Sequence, residues 1–163
     1  MKRGVRGGPR RGAAGRVAKP ALVLSFPSET SFLGLVRDLS RKMAEAAGFD
    51  EGTAGKVALA VDEATTNVME HAYHGATDQE VEVRFEDRGE ELQVDVLDRG
   101  STVDPHSLPR VDMKKLETYA RERRTGGLGI HLMGKIMDSV TFERSARRNV
   151  CHLVKRKAAG EKG

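Results

Sequence analysis

The sequence contains almost no cysteine and no long apolar run. Cys151 is the single cysteine among 163 residues, so the chain cannot form an internal disulfide and has no CxxC pair of the kind that holds structural zinc. No apolar run approaches the roughly 18 to 20 residues that cross a bilayer, and the first residues lack the apolar stretch of a secretory signal. These absences exclude a disulfide-rich secreted protein and a helical membrane protein. We expect a soluble protein of the reducing cytoplasm.

Acidic residues are missing from the first 20 positions. Residues 1–20 hold seven Lys or Arg and no acid, so the net charge of +4 leaves 4 − 7 = −3 for the other 143 residues. The segment also lacks serine and apolar periodicity, which argues against a transit peptide and predicts a disordered tail. Such a tail serves solubility, or it makes loose contacts with nucleic acid or an acidic partner.

The length of the chain suits one domain. A chain of 163 residues can bury one core and is too short for two domains of ordinary size. We predict an ordered domain at 21–157 and a short C-terminal tail at 158–163. No internal repeat is present in the sequence.

Apolar periodicity predicts the element order β-α-α-β-β-loop-α-β-β. The predicted elements are a strand at 21–26, a helix from Ser28 to Gly48, a helix with Thr53 as its N-cap that ends near His74 and Gly75, hairpin strands at 81–85 and 92–96, a helix at 129–137, and closing strands at 140–143 and 150–155. This order implies an α+β two-layer sandwich, with three main helices on one face of a mostly antiparallel sheet. The irregular segment 99–126, with at most a short helix at 113–119, is predicted to be disordered or to form a lid over a site.

An acid and an amide share one face of the second predicted helix. Glu63 and Asn67 are four residues apart and so lie one turn from each other, and three more polar residues lie close to that face: Glu70, His71 and His74. An amide oxygen can coordinate a hard cation while a neighbouring acid orients or deprotonates a nucleophile. The pair therefore suits magnesium-nucleotide chemistry. A solvated polar face is the plain alternative, and a zinc site of Glu70, His71 and His74 is another.

Asp98 stands where an alternating strand ends, two residues before Gly100. Aspartate at this position is typical of a plain turn. It also suits a fixed carboxylate that accepts a hydrogen bond from an exocyclic amine such as that of adenine, with Gly100 allowing the base to approach the backbone. The sequence leaves both interpretations open.

Glycines precede the third predicted helix, at Gly126, Gly127 and Gly129. Glycines here let backbone N–H groups face an anion, and a helix N-terminus favours the negative charge of a phosphate. The segment matches neither the GxxxxGK[ST] loop nor the GxGxxG of a dinucleotide fold. A simple helix-entry loop is the alternative.

The three segments together resemble one family. Glu63 to Asn67 resembles the N box of the GHKL (Bergerat-fold) ATPases, Asp98 to Gly100 with Val103 to Pro105 resembles their G1 box, and Gly127 to Ile130 their G2 box. Within that superfamily, the small size and the ending at 149–155 are most similar to the RsbW/SpoIIAB type of bacterial anti-sigma factor serine kinases. The resemblance extends over about residues 21–157.

The resemblance implies a role for each matching residue. Glu63 would be the general base for the attacking hydroxyl, Asn67 the Mg²⁺ ligand, and Asp98 the reader of adenine, with Gly100 beside it. The G2 segment would contact the phosphates of ATP; its residues are Gly126, Gly127, Leu128 and Gly129. Residues 101–126 would form the ATP lid, and Arg37 would contact a partner, although an exposed arginine on an amphipathic helix is often only solvated.

The resemblance also implies a function. It is that of an ATP- and Mg²⁺-dependent serine/threonine kinase that phosphorylates an anti-anti-sigma (STAS-domain) antagonist, binds a sigma factor when free, and forms a homodimer. The alternative is a protein of the same fold that holds ATP and switches partners without phosphotransfer. The detached ATPase part of a histidine kinase is disfavoured, since no helical hairpin with a phospho-accepting histidine precedes the N box.

One segment departs from the family pattern, and a second adds charged residues to it. Many relatives continue the G1 box as GxG, whereas Ser101 and Thr102 follow Gly100 here, which lowers the expected affinity for ATP. Three arginines lie just before the glycines, and one of them is a candidate to neutralise phosphate charge during transfer; they are Arg121, Arg123 and Arg124.

Overall fold

A computed structural model describes residues 22–101, 128–145 and 147–158. Its strands are β1 Leu22–Pro27, β2 Glu80–Asp87, β3 Glu91–Asp98, β4 Ser139–Ser145 and β5 Arg148–Arg156. Its helices are a 3-10 turn at Thr30–Phe32, α1 Leu33–Ala46, α2 Glu51–Asn67, a π-helical turn at Val68–Ala72, and α3 Leu128–Ile136. No helix within the described residues is long and apolar enough to span a membrane.

The five strands form one antiparallel sheet in the order β1-β2-β3-β5-β4. Alternation of apolar and polar residues sets the register, because a shift by one residue would turn every buried side chain to solvent. Val83 lies opposite Val96, and Val96 lies opposite Cys151, so one buried row crosses three strands. The prediction of a mostly antiparallel sheet is confirmed.

The helices cover the buried face of the sheet and complete a two-layer sandwich. Their apolar side chains and those of β2, β3 and β5 form one core, whose largest fully buried members include Phe85, Leu92, Met133 and Leu153. Helix α2 lies between α1, α3 and the sheet, and its many alanines suit close packing on several sides. Burial on α2 is therefore wider than the single stripe that periodicity indicates, and it includes Asp62 and Thr65.

The opposite face of the sheet is polar. Asp95 pairs across the strands with His152, whose Nδ1 lies 2.8 Å from the Asp95 Oδ1. Glu82 lies beside Arg84 on β2 and receives a second, longer contact of 3.7 Å from Arg148. Charged side chains of both signs thus occupy the face that the helices leave open.

Two predicted helix starts are wrong. Ser28 does not begin a helix, because its hydroxyl donates to the Ala76 carbonyl and its N–H donates to the Gln79 carbonyl, so it pairs with the loop before β2. Thr53 is not the N-cap of α2. The cap is Asp50, whose carboxylate accepts hydrogen bonds from the Thr53 N–H and hydroxyl.

The second predicted helix also ends differently. The α-helical ladder stops at Asn67 and continues as the π-helical turn at Val68–Ala72. His74 and Gly75 then adopt left-handed backbone conformations, with φ of 52° and 80°. A left-handed histidine is uncommon, whereas glycine at the end of a helix adopts this conformation without strain.

Several predictions fall on other parts of the chain. The predicted tail at 1–20, the short helix at 113–119 and all of the predicted lid except Ser101 lie outside the described residues. So do Gly126, Gly127 and residues 159–163. The predicted domain limits at 21 and 157 remain predictions.

Two phenylalanines in the sheet differ in burial and test the position of the core. Phe85 on β2 is fully buried, whereas Phe142 on β4 is 45% exposed. We expect Phe85→Ala to lower the free energy of unfolding by about 3–5 kcal/mol, since it leaves a cavity, and Phe142→Ala to cost roughly half as much or less. Urea denaturation of both variants measures the difference; equal losses would contradict this assignment of the core.

Candidate functional site

Helices α2 and α3 bring an acid, an amide and a glycine together. Glu63 and Asn67 face the first turn of α3, where Gly129 is buried. A β-carbon added to Gly129 would lie 2.5 Å from the Glu63 Oε2 and 3.6 Å from the Asn67 Nδ2. The missing side chain of Gly129 therefore provides the space that the Glu63 carboxylate occupies. Gly126 and Gly127 lie outside the described residues, and Leu128 is the first residue of α3.

The surroundings of Glu63 favour its protonated form. Burial raises the pKa of its carboxyl, and the negative charges of Asp62 and Glu70 raise it further, whereas the positive charge of Arg37 lowers it. No hydrogen bond to the Glu63 carboxylate is present among the described residues. The group is thus an acid with a raised pKa beside the first turn of α3.

Arg37, the residue predicted to contact a partner, forms an ion pair with Asp62. Its guanidinium lies 2.5 Å from the Asp62 Oδ2 and its side chain is 49% exposed. The Asp62 Oδ1 is buried and has no hydrogen-bond partner among the described residues. Arg37 therefore supplies positive charge to a buried acid next to Glu63, while half of its side chain still faces solvent.

Asp98 ends β3 with a buried carboxylate. The Asp98 Oδ1 accepts hydrogen bonds from the Gly100 N–H at 2.8 Å and from the Asn149 Nδ2 at 2.7 Å. The Oδ2 accepts none within the part of the chain that the structure describes. Burial raises the pKa of Asp98, and these two hydrogen bonds oppose that shift. Asp98 thus makes the predicted turn and also keeps one oxygen available to a donor.

Gly100 packs against the end of the helical segment that carries Glu63 and Asn67. A β-carbon at Gly100 would lie 2.4 Å from the Ala72 carbonyl oxygen, which also accepts the Ser101 N–H at 2.9 Å. The Ser101 hydroxyl lies 2.9 Å from the His74 Nε2. Glycine is required here by the approach of two backbone segments, and approach of a base to Gly100 remains a prediction. Ser101, the middle residue of what would be GxG, joins this contact, and Thr102, in the place of the second glycine, lies outside the described residues.

The two groups of residues lie along one helical segment. Asn67 belongs to the first group and Ala72 contacts the second, so about five residues, or roughly 7 Å of helix, separate them. A ligand that contacted both groups would have to be elongated, with one end at Asp98 and the other at the first turn of α3. Its anionic end would meet a helix N-terminus, and an amide oxygen beside a carboxylate suits a hard cation such as Mg²⁺.

The zinc alternative finds no support in the geometry. Glu70, His71 and His74 do not form a group able to hold a metal ion, and no three His, Cys, Asp or Glu residues do so anywhere within the described ranges. His74 lies instead against Ser101, and Glu70 is exposed.

Three residues near the site were missed by the sequence analysis. Asn149 holds the Asp98 carboxylate from β5, Asp62 holds Arg37, and Tyr73 bonds to the backbone next to Asp98. Asn149 and Asp98 are 51 residues apart, so no local pattern links them. The sequence did contain one indication that Asp62 has a partner, because an acid within a helical stretch of small and apolar residues needs one.

Comparisons with known proteins identify the family of this chain. The family described as the histidine kinase-like ATPase domain matches residues 26–155. The serine-protein kinase RsbW of Bacillus licheniformis is 32% identical over 125 residues, covering 74% of this chain and 76% of its own. The RsbW of Listeria innocua is 30% identical over 120 residues, covering 73% and 76%.

Two solved structures share the fold. The RsbU and RsbW domains of a Mycobacterium tuberculosis protein align with a TM-score of 0.58 at 16% identity, covering 85% of this chain and 32% of that longer chain. The SiaB–SiaC complex of Pseudomonas aeruginosa aligns with a TM-score of 0.56 at 16% identity, covering 83% of this chain and 89% of the matched chain.

The family match spans residues 26–155, the range in which all three motifs lie. The chain therefore belongs to the histidine kinase-like ATPase domain family and, within it, to the serine-protein kinases of the RsbW type. It is accordingly a serine/threonine protein kinase that uses ATP.

Gly129 offers a test of the Glu63 position. In Gly129→Ala the new methyl group would displace the Glu63 carboxylate, which is the flexible end of its side chain, so the fold should tolerate the change. We expect phosphotransfer to fall about 100-fold, since a misplaced group of this kind commonly costs that much. The free energy of unfolding should change by no more than about 1 kcal/mol.

Gly134 on the same helix is the matched control. Apart from the neighbouring backbone of α3, no atom of the described residues lies within 4 Å of the position of its added β-carbon, so Gly134→Ala should stabilise α3 slightly and leave the kinase rate unchanged. Rates and melting temperatures of both variants complete the comparison. A fully active Gly129→Ala protein would show that phosphotransfer does not depend on this carboxylate position.

The raised pKa of Glu63 predicts a pH-dependent cost to stability. Below its ordinary pKa of 4.5 the residue is protonated whether the chain is folded or unfolded, so its ionisation does not affect the free energy of unfolding. Between pH 4.5 and the raised folded pKa, the unfolded chain has released a proton that the folded protein still holds, so the folded state loses stability relative to a variant with a neutral side chain. Glu63→Gln should therefore be more stable than the wild type at neutral pH.

Urea denaturation across this pH range checks the prediction. The gap between Glu63→Gln and the wild type should open above pH 4.5 and stop growing once Glu63 is ionised in the folded protein. Glu45→Gln replaces an exposed acid on α1 and should show no such gap. A gap of equal size at all pH values would contradict the assigned cause.

Proposed function

We propose that this kinase is an anti-sigma factor that transfers the γ-phosphoryl group of ATP to a serine or threonine of an anti-anti-sigma partner with a STAS domain. The observation that carries the proposal is the meeting of Glu63, Asn67 and Gly129 at the first turn of α3. Membership in the RsbW family supports it.

Glu63 is proposed as the general base. It would accept the proton of the partner's hydroxyl as the hydroxyl oxygen bonds to the γ-phosphorus and the bond to the ADP oxygen breaks. A carboxylate with a raised pKa and no competing hydrogen bond within the described residues suits this role, because its basicity lies closer to neutral pH than that of an exposed glutamate. Asp62 and Glu70 contribute to that shift through their negative charge.

Asn67 is proposed as the protein ligand of Mg²⁺. Its amide lies beside Glu63 and the N-terminal turn of α3, a donor set that suits a hard cation held between protein and phosphate oxygens. Bound Mg²⁺ would supply positive charge to the phosphates. The first turn of α3, with Leu128 and Gly129, would face the same phosphates through its N–H groups, as would Gly126 and Gly127 before it.

Asp98 is proposed to recognise adenine through a hydrogen bond. Its Oδ2 is available to accept a hydrogen bond from the exocyclic amine, while the Gly100 N–H and Asn149 fix the orientation of the carboxylate through Oδ1. An acceptor buried in this way discriminates against a base that presents an oxygen at the same place. The proposed adenine contact, Asp98 on β3, thus lies on a different element from the proposed general base, Glu63, which shares α2 with Asn67.

The proposed partners are a STAS-domain antagonist, a sigma factor bound in the absence of that antagonist, and a second copy of the chain. Support comes from the family and from Arg37, whose side chain is half exposed although its guanidinium contacts Asp62. Control of transcription would place these contacts in the cytoplasm. Contact of the basic tail with nucleic acid remains a prediction from the sequence.

The test is phosphotransfer from labelled ATP to a STAS-domain protein recovered with this chain from its native cell. We expect Glu63→Gln to reduce the rate by about 10²- to 10⁴-fold, as is common when a positioned base is removed. ATP affinity, measured by calorimetry in the presence of Mg²⁺, should stay close to that of the wild type, because Asp98, the proposed adenine contact, and the proposed phosphate contacts remain.

Glu51→Gln is the control, since Glu51 is an exposed acid at the other end of α2. It should leave both the rate and the affinity unchanged. Wild-type phosphotransfer by Glu63→Gln would overturn the assignment of the base. Absence of transfer to any STAS protein by the wild type, with ATP still bound, would favour partner switching without phosphorylation.

A further inference from the structure

Tyr73 links three segments that meet beside Asp98. Its ring is buried, with 7% of the residue exposed. Its hydroxyl donates a hydrogen bond to the Glu80 carbonyl and accepts one from the Arg99 N–H at 2.9 Å. One side chain at the end of the π-helical turn thus holds the first residue of β2 and the residue that follows Asp98.

The segment that Tyr73 holds is the one that presents Asp98. Arg99 lies between Asp98 and Gly100, so fixing its N–H restricts the direction in which the chain leaves β3. Other contacts of this segment include the Ser101 N–H to the Ala72 carbonyl, and the Asn149 amide to Asp98 and to the Gly100 carbonyl. The Arg99 guanidinium also lies 3.8 Å from the Glu80 carboxylate, in an exposed ion pair of the kind that contributes little. Tyr73 is the buried contact that joins the Arg99 backbone to the Glu80 backbone at the start of β2.

The hydroxyl keeps both hydrogen bonds at neutral pH. Burial raises the pKa of Tyr73, so the hydroxyl remains protonated and retains the proton that it donates. The π-helical turn aims the ring at this place, because the Tyr73 N–H bonds the Val68 carbonyl at 3.0 Å. The Tyr73 hydroxyl therefore satisfies two backbone groups that belong to different segments.

We propose that Tyr73 is a positioning residue for nucleotide recognition, which holds the Asp98–Gly100 segment in the conformation that binds adenine. The inference rests on the proposed role of Asp98. Without the hydroxyl, the segment would adopt this conformation only part of the time, and the apparent affinity would fall by the fraction that remains competent. Phosphotransfer at saturating ATP would be retained, because Tyr73 touches neither Glu63 nor Asn67.

The experiment compares Tyr73→Phe, which keeps the ring, with Ser28→Ala. Ser28 is buried in the neighbouring turn and also makes two hydrogen bonds, to the Ala76 carbonyl and from the Gln79 N–H, but it does not touch residues 98–101. We measure dissociation constants for ATP and GTP by calorimetry, kcat at saturating ATP, and the melting temperature of each variant.

We expect Tyr73→Phe to weaken ATP binding about 10-fold, which corresponds to about one tenth of the molecules being competent. The preference for ATP over GTP should fall, and kcat should stay within about two-fold, because the base is untouched. Ser28→Ala should lower the melting temperature and leave both nucleotide affinities as they are. Unchanged ATP affinity in Tyr73→Phe, or losses that merely follow the melting temperature in both variants, would overturn the inference.

Asp98→Asn separates this inference from the proposed function. If Asp98→Asn weakens ATP binding and Tyr73→Phe does not, the inference about Tyr73 fails and the adenine site stands. If Asp98→Asn binds ATP as the wild type does, the assigned reader of adenine is wrong and the role of Tyr73 is overturned with it. If both variants lose affinity and selectivity, both assignments are supported.

Discussion

Close contact between helix α2, with its π-helical extension, and two glycines is the constraint on which the site depends. At one end Gly129 leaves room for the Glu63 carboxylate, and at the other Gly100 lets the chain after β3 reach the Ala72 carbonyl. Gly129 thus makes room for a side chain, whereas Gly100 makes room for the backbone of another segment. Because both glycines meet one helical segment, the position of α2 in the core fixes the distance between the two ends of the proposed nucleotide site.

The same packing has an electrostatic consequence. Helix α2 is buried on several sides, yet it carries Asp62 and Glu63 in sequence, and burial of adjacent acids is unfavourable. Arg37 compensates Asp62 through an ion pair, whereas Glu63 has no such partner in the part of the chain that the structure describes, and its pKa is raised. Sites that act on substrates often keep a group in such unfavourable surroundings, because the surroundings set its reactivity. Asp62 and Glu63 are neighbours on one helix, and the difference between them lies in the charged groups that surround each carboxylate.

The sequence predicts what local patterns determine and misses what distant contacts determine. The β2–β3 hairpin, the antiparallel sheet and the shared face of Glu63 and Asn67 follow from periods of two and of nearly four residues. The start assigned to Ser28 is wrong, because its partner lies 48 residues away. The N-cap of α2 was predicted at Thr53, whereas the structure shows Asp50 as the cap and Thr53 as its hydrogen-bond donor.

The two ends of the site differ in how they resist change. At the Asp98 end, Ser101 reaches Ala72 through backbone groups, and Gly100 packs there on a backbone carbonyl. Side-chain substitutions cannot remove these ties, so changes at Tyr73 or Asn149 should have graded effects. At the Glu63 end, one carboxylate has no hydrogen bond among the described residues and is located by packing alone. Catalysis that depends on one side chain held in this way is lost when that side chain is changed. Recognition that several hydrogen bonds and backbone contacts support is instead weakened by degrees as single contacts are removed.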